Sequence, residues 1–273
     1  MSDARTALEA IGQLPDSEID IADAALQLAR IDAPDADWQA ARLHLSELAR
    51  DAAALPAGDE DLAARAGALA GLITGRHGYT GDSETYEDLA NANLIRVIER
   101  RRGMPVALGV IWLHCARAAG WTAHGLDFPG HFLIALEGSN AQAVLDVFAG
   151  GTPLDARDLR GLIKKVEGPK AELRPGMLTP VSTRIVLLRL QNNIKLRRLR
   201  AGDLSAALVS AQDMLRIAPE DAPLWRETAL INQRLDQVSA ALKCFERYLQ
   251  LVPPGDAATR ARTAMDELRA RLN

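Results

Sequence analysis

Three residues near the middle of the chain have the types and order needed for acyl-transfer chemistry: Cys115, His131 and Asp146. A thiolate attacks, an imidazole moves the proton, and a carboxylate orients the imidazole. The thiol is the first member to fail. A reactive cysteine needs its anion stabilised, and a helix amino terminus does this with free N–H groups and the positive end of its dipole. The stretch "MPVALGVIWLHCARAAG" reads as a helix opening at Pro105, where the missing N–H does no harm. At 1.5 Å per residue, Cys115 lies roughly 15 Å along that axis, near the end where the dipole disfavours a thiolate. Leu108, Trp112 and Ala119 share its face and form a core stripe. Cys115 is therefore expected to be an unreactive core residue, and so is Cys244, inside a later amphipathic helix. In the first turn, where a nucleophile belongs, Pro105 and Val106 carry nothing that can attack.

His131 and Asp146 fall on two segments of strand character, "HFLIALE" and "AVLDVFA", joined by the turn "EGSNAQ". If Leu136 faces Ala143, Asp146 becomes the diagonal neighbour of His131, close enough for a His–carboxylate hydrogen bond. Phe132, Ile134, Leu136, Leu145 and Val147 would then look into the core, with His131 and Asp146 on the other face, towards the start of the central helix. Such a pair pins two strands, lines a binding groove, or performs acid–base chemistry. Without a visible nucleophile the third role is the weakest. His114, Cys115, His124 and His131 are metal-ligand types, but their spacing matches no zinc pattern. No metal or cofactor is expected. Asn91 precedes a helix and either caps it or bonds across the site. The run Arg100-Arg101-Arg102 reads first as a solvated helix end complementing the dipole. The other use for it is to anchor the acidic loop "GDSETYED". "KLRRLRAG" at 195–202 reads likewise as an exposed basic helix end.

The elements that position these residues follow from patterning. Residues 1–76 read as short amphipathic helices: one after the cap region Pro15-Asp16-Ser17, one around Trp38, Leu45, Leu48 and Ala52, and one from about Asp59 to Thr74. A long loop follows, rich in turn residues and extending to Asn93, a candidate N-cap. A short helix, the buried helix from Pro105, three strands beginning with "TAHGLDF" and the helix "LDARDLRGLIKKV" make an α+β layout with a small antiparallel sheet. Beyond residue 180 the chain repeats itself. "SAAL" at 205–208 recurs at 239–242, and Leu215, Ile217 and Pro219 find counterparts in Leu249, Leu251 and Pro253. A period of 34 is the tetratricopeptide signature, here in two units plus a tail helix from about Asp256 to Leu272. Expected domains are therefore 1–76, 77–180 and 181–273.

Composition excludes several classes. A formal net charge of −4 and a pI near 5.8 do not favour nucleic acid or anionic membrane. Two cysteines in unlike contexts argue against a disulfide framework. No apolar run approaches the ~20 residues of a membrane span, and "MSDARTALEAIG" lacks a signal-peptide layout. A cytoplasmic location is the expectation.

Together "NANLIRVIERRRGMPVALGVIWLHCARAAGW", "FPGHFLIAL" and "LDVFAGG" resemble the transglutaminase-like superfamily, and more narrowly its SirB-type branch, which joins this front domain to a tetratricopeptide tail. The resemblance runs from about residue 10 to the end and is specific over 75–152. It implies a transglutaminase-like, papain-like core. Catalytic members open the core helix with Gly-x-Cys, where this chain has Gly103-Met104-Pro105, while His131 and Asp146 match the other two triad positions. The implied protein has kept the fold and lost the nucleophile, with His131 and Asp146 as relicts of a catalytic set. The expected role is a protein- or peptide-binding adaptor using Asn91, Arg101, Pro105, His131 and Asp146. The alternative is a peptidase or acyl-transfer enzyme with an unrecognised nucleophile. The sequence leaves the oligomeric state open.

Overall fold

The computed structural model describes residues 2–56, 61–139 and 141–271. The chain forms two compact units, one of residues 15–190 and one of residues 2–14 with 191–273. The first helix, α1 (Ser2–Gln13), therefore groups with the carboxy-terminal helices rather than with those that follow it.

In the first unit come α2 (Ile21–Asp32), α3 (Trp38–Ala53) and α4 (Leu62–Ala70), the last running into a π-helical turn over Gly71–Arg76. Each opens on an aspartate whose carboxylate accepts first-turn N–H groups: Asp20, Asp37 and Asp61. Pro15-Asp16-Ser17, expected to begin α2, instead leads into a separate 3-10 turn over Asp16–Glu18. The expected start of the third helix near Asp59 lies outside the described residues. Next are β1 (Thr80–Gly81), a 3-10 turn at Leu89–Asn91, α5 (Leu94–Arg100), β2 (Arg102–Gly103) and α6 (Pro105–Ala118). β1 pairs parallel with β2, so the expected loop contains one strand of a short ladder. Helix α6 is buried from Pro105 through Leu113, as its nearly all-round apolar surface requires.

The strands are β3 (Ala123–Leu126), β4 (Leu133–Glu137), β5 (Gln142–Asp146) and β6 (Thr152–Leu154). After α7 (Ala156–Glu167) comes β7 (Pro180–Val181). They form one antiparallel sheet in the order β6-β5-β4-β3-β7. Leu136 does sit opposite Ala143, although Asn140 of the connecting turn lies outside the described residues. The two outer strands escaped the sequence reading because each is very short and contains a proline, Pro153 or Pro180, a residue confined to sheet edges.

Both faces of the sheet are packed. Phe132 packs on α6, so closely that a Cβ at Gly109 would stand 2.2 Å from its ring. Leu133, Ala135 and Val144, which have the strand parity of His131 and Asp146, pack on Leu159 and Ile163 of α7. The strand portion of that face is thus covered by α7. This helix of 12 residues opens on a capping box formed by Asp155 and Asp158.

The second unit contains α9 (Leu204–Ile217), α10 (Ala222–Arg234), α11 (Val238–Leu251) and α12 (Asp256–Ala270), with α8 (Thr183–Arg200) leading into it. Helices α9 and α11 carry the 34-residue repeat. Ala229, Ala241, Phe245, Tyr248, Met265 and Leu268 form one core across α10, α11 and α12; small residues such as Ala241 permit the close approach. Leu272, the expected end of the tail helix, lies outside the described residues. On α1, Gly12 has no alternative, since a Cβ there would lie 2.0 Å from the Arg216 carbonyl oxygen. The basic run at 195–202 is not simply an exposed end. Lys195 is fully buried and pairs with Glu227, and Arg198 donates to the Ser210 hydroxyl at 2.6 Å. Its cations join neighbouring helices.

Candidate functional site

Asp146 ends β5, and its two carboxylate oxygens have separate tasks. Oδ1 accepts the backbone N–H groups of Phe148 and Ala149, at 3.0 and 3.1 Å, and Oδ2 meets Nε2 of His131 at 3.0 Å. The first pair of bonds starts the turn Phe148–Gly151, where Gly150 and Gly151 take positive φ. Gly151 is confined by contact as well, since a Cβ there would lie 2.0 Å from the Trp112 ring. Burial alone would raise the Asp146 carboxyl. The hydrogen bond and charge of His131, with the N–H groups of Ala149 and Phe148, outweigh it and hold the carboxyl below the usual range.

Phe148 connects this turn to the amino-terminal end of α6. Its ring lies against Gly81, where a Cβ would approach to 2.6 Å, and stacks edge-on with Tyr86 at 6.0 Å between centroids. Gly81 pairs with Gly103, the Asp82 N–H donates to the Gly103 carbonyl, and the Met104 N–H donates to the Asn91 carbonyl. The first turn of α6 is thus clasped by the loop 80–91. Met104, Pro105 and Val106 are all buried, and Met104 gives the helix no side-chain cap.

The loop is held by a residue the sequence reading had placed on a solvated helix end. Arg100 donates to Asp82 at 2.7 Å and to the Asn91 side-chain oxygen at 3.2 Å. Asp82 also accepts the Thr85 N–H and hydroxyl, at 2.8 and 2.7 Å, and Asn91 donates to the Thr85 carbonyl at 2.6 Å. The Thr85 hydrogen bonds, with the Arg100 charge, hold the Asp82 carboxyl low. Asn91 caps nothing; Asn93 caps α5, as its position suggested. The anchoring use of the arginine run is the one realised for Arg100. Its sequence signal was the acidic loop lying one helix before it.

Arg101 goes elsewhere. It takes the left-handed conformation that ends α5, φ 57°. Its guanidinium donates to the Tyr79 hydroxyl at 2.5 Å and reaches His44. His44 packs against His77, which bonds Asp51 at 2.9 Å. Burial, then the Arg101 charge, lowers the His44 pKa. Among the described hydrogen bonds, His131 meets Asp146, the Asn91 carbonyl accepts the Met104 N–H just before Pro105, and Arg101 meets Tyr79 and His44. His44 and Tyr79 were not singled out from sequence, because their partnership with Arg101 joins segments far apart in the chain.

Cys115 is fully buried, and burial pushes its thiol up to about 12. His114 bonds the Leu45 carbonyl and His124 pairs with Glu137. Among the described residues no three His, Cys, Asp or Glu side chains converge as metal ligands, and no described helix is long and apolar enough to cross a membrane.

Comparison with known proteins agrees with this architecture. Residues 39–192 match the family model "Transglutaminase-like superfamily", and residues 194–273 match "Tetratricopeptide repeat". A UPF0162 protein of Xylella fastidiosa strain Temecula1 is 35% identical over 179 residues; the match covers 64% of this chain and 64% of that relative's length. A UPF0162 protein of Vibrio cholerae is 26% identical, over 92% of this chain and 93% of its own. Protein SirB1 of Salmonella typhimurium is 26% identical, over 68% and 69% respectively. With more than half its length matched by one family model and the helix–sheet core in place around α6, the chain belongs to the transglutaminase-like superfamily, here joined to tetratricopeptide repeats.

Proposed function

We propose that this is a non-catalytic transglutaminase-like protein, a pseudoenzyme that acts as a cytoplasmic adaptor. In this reading His131, Asp146, Asn91 and the first turn of α6 bind a protein or peptide partner, and the repeat tail offers a second surface. One observation carries the reading: the helix start that would present a nucleophile holds buried Met104, Pro105 and Val106, while Cys115 is buried further along the same helix. Binding requires converging polar groups but no thiolate.

The retained His131–Asp146 hydrogen bond favours a second reading, an acyl-transfer or peptidase activity with another nucleophile. The two readings separate in one experiment. Partner recovery by the intact protein is compared with that by His131→Ala, alongside hydrolysis of acyl and amide substrates. The adaptor reading expects weaker recovery, a preserved cooperative fold and no turnover by either protein. Wild-type turnover that disappears in His131→Ala would overturn it. So would recovery that is unchanged while only stability falls.

A further inference from the structure

A cavity lies at the opposite edge of the sheet from β5 and β6, where β3 outruns its neighbour. β7 covers β3 only at Gly125 and Leu126, opposite Val181 and Pro180, with one more bond from the Asp127 N–H to the Thr179 carbonyl. Antiparallel strands alternate the edge to which each residue turns its N–H and C=O. The Glu137 N–H donates to the Thr122 carbonyl, so even-numbered residues of β3 face β4. The odd-numbered Asp127 faces β7. By the same alternation Ala123 turns its N–H and C=O towards the β7 edge, beyond the last rung that β7 supplies.

β7 cannot extend to cover it. After Val181 the chain turns into α8, and the Asp16 carboxylate fixes that turn by accepting the Thr183 and Arg184 N–H groups, both at 2.8 Å. The gap is a cavity of about 500 Å³, within the size range of sites for small ligands. The segment Gly120–Gly125 lines it, with apolar Ile21, Leu113, Val181 and Val186 and polar Ser182 and Thr183. Arg117 is also in the wall; its Nη1 donates to the Ile19 carbonyl at 2.7 Å. Thr122 is exposed and Ala123 half-buried, so the open rung is reachable from solvent.

We propose that this cavity binds a short extended peptide, which adds to β3 at Ala123 as a further strand and places small side chains against the walls. Main-chain pairing at an exposed sheet edge is a general mode of peptide recognition, and the cavity limits the occupant to a few residues. This site is independent of the His131–Asp146 pair.

The test begins with selection of random displayed heptapeptides on the full chain, followed by binding of the enriched peptides as free synthetic compounds. Enriched peptides should slow hydrogen exchange in residues 121–126. A single N-methyl group on the pairing amide should weaken binding about tenfold, the effect of one well-placed hydrogen bond. Ala123→Pro should weaken it similarly. That change removes a donor that β4 does not use, so the β3–β4 ladder keeps its bonds, and the N-methyl peptide gives the same information on unaltered protein. His131→Ala should leave this binding unchanged. Failure to enrich any peptide, or enriched peptides indifferent to both N-methylation and Ala123→Pro, would overturn the proposal.

Discussion

Replacing either partner of the His131–Asp146 pair separates a structural role from a binding one, because the two residues are not equally committed. Asp146→Ala removes three acceptor contacts at once: His131 at 3.0 Å and the N–H groups of Phe148 and Ala149 at 3.0 and 3.1 Å. Hydrogen bonds to a charged group contribute about 1.5–3 kcal/mol each at most, and the released N–H groups sit in a partly buried turn. With partial rehydration the loss should be about 3 kcal/mol. His131→Ala removes one of those contacts and a ring whose side chain is 20% exposed, leaving Asp146 its two N–H donors; about 1 kcal/mol is expected. Asp146→Asn should fall between, since its oxygen still accepts both N–H groups. The assay is urea unfolding at pH 7, with midpoints converted at a common slope. The pH dependence has a definite sign. Asp146 is held below its ordinary value in the folded protein, so its contribution is fully present above the unfolded carboxylate pKa of ~3.9 and is lost as pH falls through the folded value. The wild-type advantage over Asp146→Asn should shrink on acidification below about pH 4. If His131→Ala costs as much as Asp146→Ala, or if that advantage grows in acid, the assignment of Asp146 as the turn's anchor is wrong.

Two further outcomes follow from the geometry. Arg100→Ala strips Asp82 and Asn91 of their shared donor, so hydrogen exchange at Thr85 and Asn91 should accelerate, with a stability loss of about 1–2 kcal/mol given the partial exposure of the guanidinium; unchanged exchange would show that the loop is held by something else. Cys115 should resist iodoacetamide at neutral pH in folded protein and react on unfolding, as its burial and raised thiol pKa require, so labelling of the native state would contradict the buried-core assignment.

The local elements were legible because they are written in short-range patterns. The apolar character of "MPVALGVIWLHC" and its proline specify a buried helix that begins at residue 105. The short apolar runs "HFLIALE" and "AVLDVFA" on either side of a turn identified the hairpin and, through the assumed pairing of Leu136 with Ala143, its register. The 34-residue offset identified the repeats, since each repeat is one hairpin of helices that packs on the next. The absence of a thiol from the first turn of α6 was equally visible.

What tertiary structure decided was which partner each polar side chain meets. Three consecutive arginines are indistinguishable by propensity, yet Arg100 turns to Asp82 and Asn91 while the next residue adopts φ 57° and turns to Tyr79 and His44. A left-handed residue redirects the chain, and no helical or strand period encodes that redirection. Both covered faces of the sheet, the two proline-bearing edge strands, and the grouping of α1 with the repeat helices likewise depend on segments distant in sequence. Hydrophobic periodicity states that a face must be buried; only the assembled chain determines against which element, because every apolar surface of suitable shape satisfies the same pattern.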